Sequence, residues 1–314
     1  MSILIAGTGV VVPGAPPPAA PVNLWPGVMD MTWVGWDGSR WPLLSIASGA
    51  VLVNDKVKGL GFPDFLRYTS KAQGIPGSRW RGWDVDERDV FWPLMVFSDA
   101  GTDAWLRHNA ALMATFRPDR TGTWIVTTSL GTRRLRCRLA KIDDAFDVDP
   151  SRVGWFVYGI GLVAEDPYWR GDAESITWRA QGQSRAFLPQ LGETGFWLSS
   201  SFTAGSARVS NRGDVDSYPV HELAGPINAG AKVGVGGSTV TVPFAVLSGQ
   251  SLTIDTRPDR LTVTDQAGTS RFPDLTGDVS FPPIPAGEDV PITVEFSGAG
   301  TITATFEPAF WRAF

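Results

Sequence analysis

Met31-Thr32-Trp33-Val34-Gly35-Trp36-Asp37-Gly38-Ser39-Arg40-Trp41-Pro42-Leu43-Leu44 reads as a β-hairpin. Two runs of aromatic and β-branched residues flank Asp37-Gly38, a pair suited to the two positive-φ positions of a type I′ turn. Working outward, the same texture continues. Ala50–Val53 is expected as a strand turning at Asn54-Asp55, and Val90–Phe97 as another. Pro93 removes a ladder donor, which argues for an edge or a bulge there. Lys58 to Gly82 reads as glycine-rich and irregular. Thr123–Thr128 and Arg133–Leu139 form a second hairpin around Leu130-Gly131, and Val153–Ala164 a long strand. In the long strand Phe156, Tyr158, Ile160 and Leu162 share one face. Gly159 and Gly161 lie on the other, where a second backbone can approach closely.

One helix interrupts the strands, over 102–117. Thr102 or Asp103 is placed to cap it and Pro118 to stop it. Trp105, Leu106, Leu112, Met113 and Phe116 give it an apolar side at helical spacing.

After Asp166-Pro167-Tyr168-Trp169 the texture changes. Short β-type runs follow at Arg185–Leu188, Ala207–Ser210, Tyr218–Leu223, Ala231–Val235, Thr239–Val242, Ser251–Asp255, Leu261–Thr264, Val290–Phe296 and Thr301–Phe306. Gly, Pro, Asn or Asp separates them, the pattern of an antiparallel β-sandwich. The organisation expected is an extended Pro-rich arm over 1–20, a β-rich domain with one helix over 21–175, and a sandwich over 176–314. The fold class is mainly β.

Composition agrees. At roughly 100–200 residues per domain, 314 residues suggest two domains. With 35 Gly and 24 Pro, long helices are disfavoured, while 43% hydrophobic residues can fill a core. The single cysteine, Cys137, excludes a disulfide within the chain and a zinc site built on cysteines. Two histidines, His108 and His221, are too few for the usual imidazole-rich metal site. A net charge of −5 gives no basic footprint for nucleic acid. Residues 179–314 hold 13 acidic against 9 basic side chains, so most of the net negative charge falls in the second half. No run of about 18 apolar residues occurs, so no membrane helix is expected. Met1–Val12 is apolar but lacks a basic flank, so no secretory signal is expected.

Few residues suggest chemistry. Ile3–Gly9 starts like a dinucleotide-binding turn, but Val12-Pro13 stands where the third glycine and a helix should be. The acids Asp84, Asp86, Glu87 and Asp89, and Asp143, Asp144, Asp147 and Asp149, lie in turn-rich stretches and lack the pattern of a calcium loop. Asp255, Asp259 and Asp265 occupy separate turns, with nothing to pair them as glycosidase acids. Each histidine reads as a packed or surface imidazole, and Cys137 as a buried thiol. No cofactor is expected. Two features point to partners. Arg134, Arg136 and Arg138 alternate with Leu135, Cys137 and Leu139, putting a row of guanidinium groups on one strand face: a solvated face, one matched to acids at a protein contact, or, as the smallest share, a nucleic-acid contact. Trp25, Trp33, Trp36 and Trp41 crowd the first hairpin. Alternation separates Trp33 from Trp36, so either both faces are covered or some rings meet a partner chain or a sugar. Trp33, Trp36, Trp41, Arg134, Arg136 and Arg138 are the candidate partner interface.

The order of short motifs resembles the distal tail proteins of long-tailed phages. It runs from the hairpin through Val57-Lys58-Gly59-Leu60-Gly61-Phe62, Gly74-Ile75-Pro76-Gly77-Ser78 and Ala164-Glu165-Asp166-Pro167-Tyr168-Trp169. It continues with Asn211-Arg212-Gly213-Asp214-Val215-Asp216-Ser217-Tyr218-Pro219-Val220, then Gly225-Pro226, and ends with Pro308-Ala309-Phe310-Trp311-Arg312. The ending is similar to the family's terminus in phages of actinobacteria. The resemblance implies a structural virion protein and no enzyme. Its N-terminal domain would form a ring, usually a hexamer, and its C-terminal galectin-like sandwich would project outward. The implied partners are other copies of the chain, the tail tube protein and a tip or hub protein, with room for the tape-measure protein. The implied place is the phage tail tip, after synthesis in the host cytoplasm. The alternative reading is a carbohydrate-binding sandwich that contacts host glycans.

Overall fold

The computed structural model describes residues 29–53, 56–74, 76–146, 148–179, 202–276 and 279–314, and for 202–206 the backbone alone. The Pro-rich arm, the turn at Asn54-Asp55 and the strand expected at Arg185–Leu188 lie outside them. Among the described residues the strands, in chain order, are β1 (Asp30–Val34), β2 (Arg40–Pro42), β3 (Ala50–Leu52), β4 (Phe65–Ser70), β5 (Arg79–Val85), β6 (Arg88–Phe97), β7 (Gly122–Thr128), β8 (Gly131–Asp143), β9 (Trp155–Ala164) and β10 (Trp169–Arg170). There follow β11 (Glu174–Arg179), β12 (Phe202–Ser210), β13 (Val220–Ala224), β14 (Ala231–Val235), β15 (Ser238–Val242), β16 (Ser251–Asp255), β17 (Thr262–Asp265), β18 (Asp289–Ser297), β19 (Thr301–Phe306) and β20 (Ala309–Phe310). Helix α1 is Thr102–Met113, and one short turn of helix, α2, is Pro150–Val153. The protein is mainly β.

The chain divides into two compact units. The first takes the described residues up to Leu60 with Glu87–Ser129 and Arg136–Glu165; the second takes Gly61–Asp86, Leu130–Leu135 and Asp166–Phe314.

The first unit is built on an antiparallel sheet in the order β2-β1-β7-β8-β9-β6-β3. Its opening hairpin forms with Val34 opposite Arg40, but the turn differs from a type I′. Only Gly38 has positive φ (82°), and Gly35 N donates to Ser39 O across a three-residue loop. Asp37 accepts from both Ser39 N and Ser39 Oγ, which holds its carboxyl below the usual range and keeps its own backbone out of the left-handed region. The result is a type I turn closed by a left-handed glycine. Pro93 is not on an edge strand: β6 lies between β9 and β3. Pro93 O accepts from Val53 N, so the missing donor also points to the β3 side, where pairing with Ala50–Leu52 has already ended. The space beside Gly159 and Gly161 is filled mainly by side chains, with the Lys141 carbonyl oxygen also 3.5 Å from where a Cβ at Gly161 would lie. An added Cβ would lie 3.3 Å from the Phe91 ring at Gly159 and 2.9 Å from Lys141 Cγ at Gly161.

Aromatic rings fill the core of this unit. Trp33 stands opposite Trp124 across β1 and β7. Trp92 meets Trp33 and Trp124 edge-on at 5.4 and 4.9 Å, and Phe116 stacks on Trp33 at 5.2 Å. Helix α1 stops three residues before Phe116, because Thr115 and Phe116 N–H groups bond back by three residues and tighten the last turn. Its N-cap is Gly101, with no capping side chain. Trp105 and Leu112 are buried, while Leu106 faces solvent.

The second unit contains the sandwich, with sheets β11-β19-β13-β16-β17 and β12-β18-β14-β15. Strict alternation in β19 (Ile302, Ala304, Phe306) and β18 (Ile292, Val294, Phe296) turns every second residue inward: Ile302, Val294 and Phe296 join one core cluster with Leu223, Val233, Leu252 and Val263, and Ile292, Ala304 and Phe306 join a second with Val209, Val235 and Ile284. Each sandwich strand expected within the described residues forms, with ends shifted by one or two residues or, in β12, extended toward Phe202. Between β12 and β13, Asn211 is fully buried. Its Nδ2 donates to Val215 O and Ile284 O, and its Oδ1 accepts from Gly213 N. Gly213 lies so close to Ala309 that a Cβ would approach its carbonyl oxygen to 2.4 Å. The Asn-Arg-Gly-Asp stretch therefore works as a bracket that holds β20.

Candidate functional site

The stretch read as irregular, Lys58 to Gly82, is a correction. It contains β4 and most of β5, which pair with each other from Phe65↔Val85 to Ser70↔Arg79. Positive-φ glycines at Gly74 and Gly77 allow the reversal. A bulge lets Tyr68 face Gly82 while Thr69 faces Trp80, and Gly82 takes the left-handed side of φ (150°) there. Directly opposed residues share a face. Phe65, Arg67, Thr69, Trp80, Trp83 and Val85 therefore lie on one side of the ribbon, and Leu66, Tyr68, Ser70 and Asp84 on the other. Neither side is buried: Phe65, Leu66, Tyr68, Trp80 and Trp83 are all about half or more exposed.

The first of these sides meets the end of the chain, within the same unit. Strand β20 pairs with β10, Trp169 opposite Phe310, and Trp169 is fully buried. Arg133 covers the Phe310 ring at 3.7 Å and donates from Nη1 to Arg312 O at 2.7 Å. Trp311 N reaches Asp214 Oδ2 at 3.3 Å. Fixed this way, Trp311 packs against Trp83 (5.4 Å), Phe62 (6.2 Å) and the edge of Tyr168 (5.2 Å). Phe62, Pro63, Phe65, Trp80, Trp83 and Trp311 line an open pocket of about 220 Å³. No carboxylate, amine, amide or hydroxyl is among its lining side chains, so it suits apolar contact and not acid–base chemistry.

The six residues proposed from sequence are scattered. Trp33 is in the core, 1% exposed, with Nε1 donating to Thr115 Oγ1. Trp36 is exposed and donates to Ala114 O, with the Arg117 and Arg120 guanidinium groups over its ring at 5.7 and 5.5 Å. Trp41 is half-buried, donates to Ser39 Oγ and packs on the His108 ring. Of the arginines, Arg134 pairs with Asp172 at 2.8 Å. Arg138 Nε lies 2.6 Å from Glu165 Oε1, an ion pair without hydrogen-bond alignment. Arg136 is exposed, with no ion-pair partner among the described residues. The alternation itself holds: Leu135 and Cys137 are fully buried.

Other reactive groups are occupied structurally. Burial pushes the Cys137 thiol up, away from the reactive thiolate. His221 is inside β13, 1% exposed, and burial lowers its pKa to about 4. Asp149 caps α2 through Ser151 N and Oγ. On the sandwich a second groove runs past Phe244, Gln250, Asp265, Gln266 and Arg271. Arg271 stacks over the Phe244 ring at 4.3 Å and pairs with Asp274.

No family model matches the sequence, and no curated protein matches it. Solved structures do. The crystal structure of the phage SPP1 Dit protein, described as a paradigm of the hub adsorption apparatus in phages infecting Gram-positive bacteria, superimposes with a TM-score of 0.61 at 12% identity, covering 90% of this chain and 99% of that one. A chain of the phage P2 baseplate in its activated conformation with calcium gives 0.53 at 13% identity, covering 88% and 98%. The chain has the fold of phage distal tail proteins.

Proposed function

We propose that the chain is a structural virion protein of a phage tail tip, where it forms a ring, of six copies by the family pattern, joining the tail tube to the tip or hub proteins. The observation that carries this reading is the likeness to SPP1 Dit over nearly the full length of both chains. The β4–β5 ribbon supports it: a two-stranded sheet with neither face buried is marginal in water, and edges that pair with no further strand among the described residues invite another chain. In this reading residues 21–175 build the ring, residues 176–314 project from it, and exposed groups such as Trp36 and Arg136 meet neighbouring copies, the tube protein or the tape-measure protein. The role is assembly and not catalysis, and the protein is made in the bacterial host cytoplasm. Native mass spectrometry and negative-stain imaging of the purified chain, alone and with its tube and hub proteins, test it. A ring is expected; a chain that stays monomeric in every mixture overturns the reading.

A second reading, glycan binding by the sandwich, has the groove beside Phe244 in its favour, since Gln250, Asp265 and Gln266 offer hydrogen-bonding groups next to a ring. A glycan array is expected to give hits that Gln266→Ala weakens at least five-fold; an empty array removes this reading.

A further inference from the structure

We propose that the aromatic pocket on the β4–β5 ribbon is the docking site of this chain's own proline-rich arm, residues 13–21. The pocket is lined by Phe62, Pro63, Phe65, Trp80, Trp83 and Trp311, whose only side-chain polar groups are three indole N–H groups. A ligand rich in hydroxyls or amides would lose hydrogen bonds to water on entering and regain few. A prolyl residue has no N–H to strand, and its ring is apolar. Aromatic-lined grooves take Pro-x-x-Pro segments for this reason, and because the polyproline helix is already extended before binding.

The arm matches in two respects. First, Pro13-Gly14-Ala15-Pro16 and Pro18-Ala19-Ala20-Pro21 are two Pro-x-x-Pro spacings in tandem. With three residues per turn, each pair falls on one edge of a polyproline helix, about 9 Å apart. Second, residues 1–29 contain no charged side chain, so an uncharged segment faces an uncharged pocket. Phe62, Phe65, Trp80 and Trp83 remain 65%, 56%, 59% and 49% exposed, which leaves the ring surface open for such a segment. The proposal does not depend on ring formation, since the arm of the same copy or of another copy fits it equally.

The test uses the full-length chain carrying Ala15→Cys and Asp64→Cys, the latter exposed and set between two residues that line the pocket. The native Cys137 is buried and does not compete. Under mild oxidation a disulfide is expected, within one chain or between two on a non-reducing gel, forming at least ten-fold faster than in a chain carrying Ala15→Cys and Ala267→Cys, the latter in an exposed sandwich turn. Replacing Pro13, Pro16, Pro18 and Pro21 by Ser should slow it at least ten-fold. Equal rates at the two positions, or no effect of the proline replacements, overturn the proposal. If the paired variant fails to fold, elastase digestion of the arm decides. The arm should be lost at least five-fold faster from a Trp83→Ser chain than from the unaltered one, and equal rates overturn the proposal.

Discussion

A Cβ added at Gly122 would lie 2.2 Å from two ring carbons of Trp33, a distance no packing adjustment short of moving the indole relieves. Gly122→Ala is therefore expected to destabilise the first unit by about 1–3 kcal/mol through overpacking. Trp33→Ala should cost about 3–5 kcal/mol through the cavity left between Trp92 and Phe116. Urea titrations with an unchanged m-value read both. His221 makes a different prediction. Its imidazole is buried, and Nδ1 has no hydrogen-bond partner among the described residues. Its folded pKa of about 4 lies below the ordinary 6.5, so the unfolded chain takes up the proton first as pH falls. Stability from keeping His221 neutral is complete above about pH 6.5 and drains away toward pH 4, by roughly 3 kcal/mol at the end. A His221→Leu chain should lose less stability between pH 7 and pH 4.5 than the unaltered protein, which urea midpoints at the two pH values would show.

At the scale of elements, the β4–β5 ribbon carries the sharpest expectation. Leu66 and Tyr68 lie on the side opposite the pocket and about half exposed, so Leu66→Lys with Tyr68→Glu should shift the thermal midpoint of the isolated chain by no more than about 2 °C. The same pair should abolish ring assembly, read by native mass. An unchanged ring would remove the ribbon from the subunit contact. The ribbon also marks where sequence reading stopped. Strands β13 to β19 were legible because one face is wet and the other dry, so hydrophobicity alternates with the pleat. The ribbon is exposed on both faces, has no such alternation, and is bounded by the glycines that make a stretch look irregular. The arginine row was legible for the same reason as the sandwich, yet what answers each guanidinium was not: Asp172 and Glu165 are 38 and 27 residues away from Arg134 and Arg138, and no local pattern encodes them. The opening hairpin was placed correctly, but its turn type was not, because Asp37 bonding to Ser39 competes with the left-handed conformation a type I′ turn demands of it.

For the molecule as a whole, the surfaces it leaves open are where another chain can attach. Those surfaces and the core use the same residue type. Trp33, Trp92 and Trp124 are locked edge-to-face in a dry interior, whereas Trp80 and Trp83 point into water. The indole is also a chromophore whose emission moves to shorter wavelength when water leaves its ring. The protein thus carries two optical populations, one insensitive to association and one that reports it. Replacing Pro13, Pro16, Pro18 and Pro21 by Ser should shift only the long-wavelength component of the emission. Acrylamide should quench that component more in the replaced chain than in the unaltered one, which makes occupancy of the pocket measurable without attaching a label.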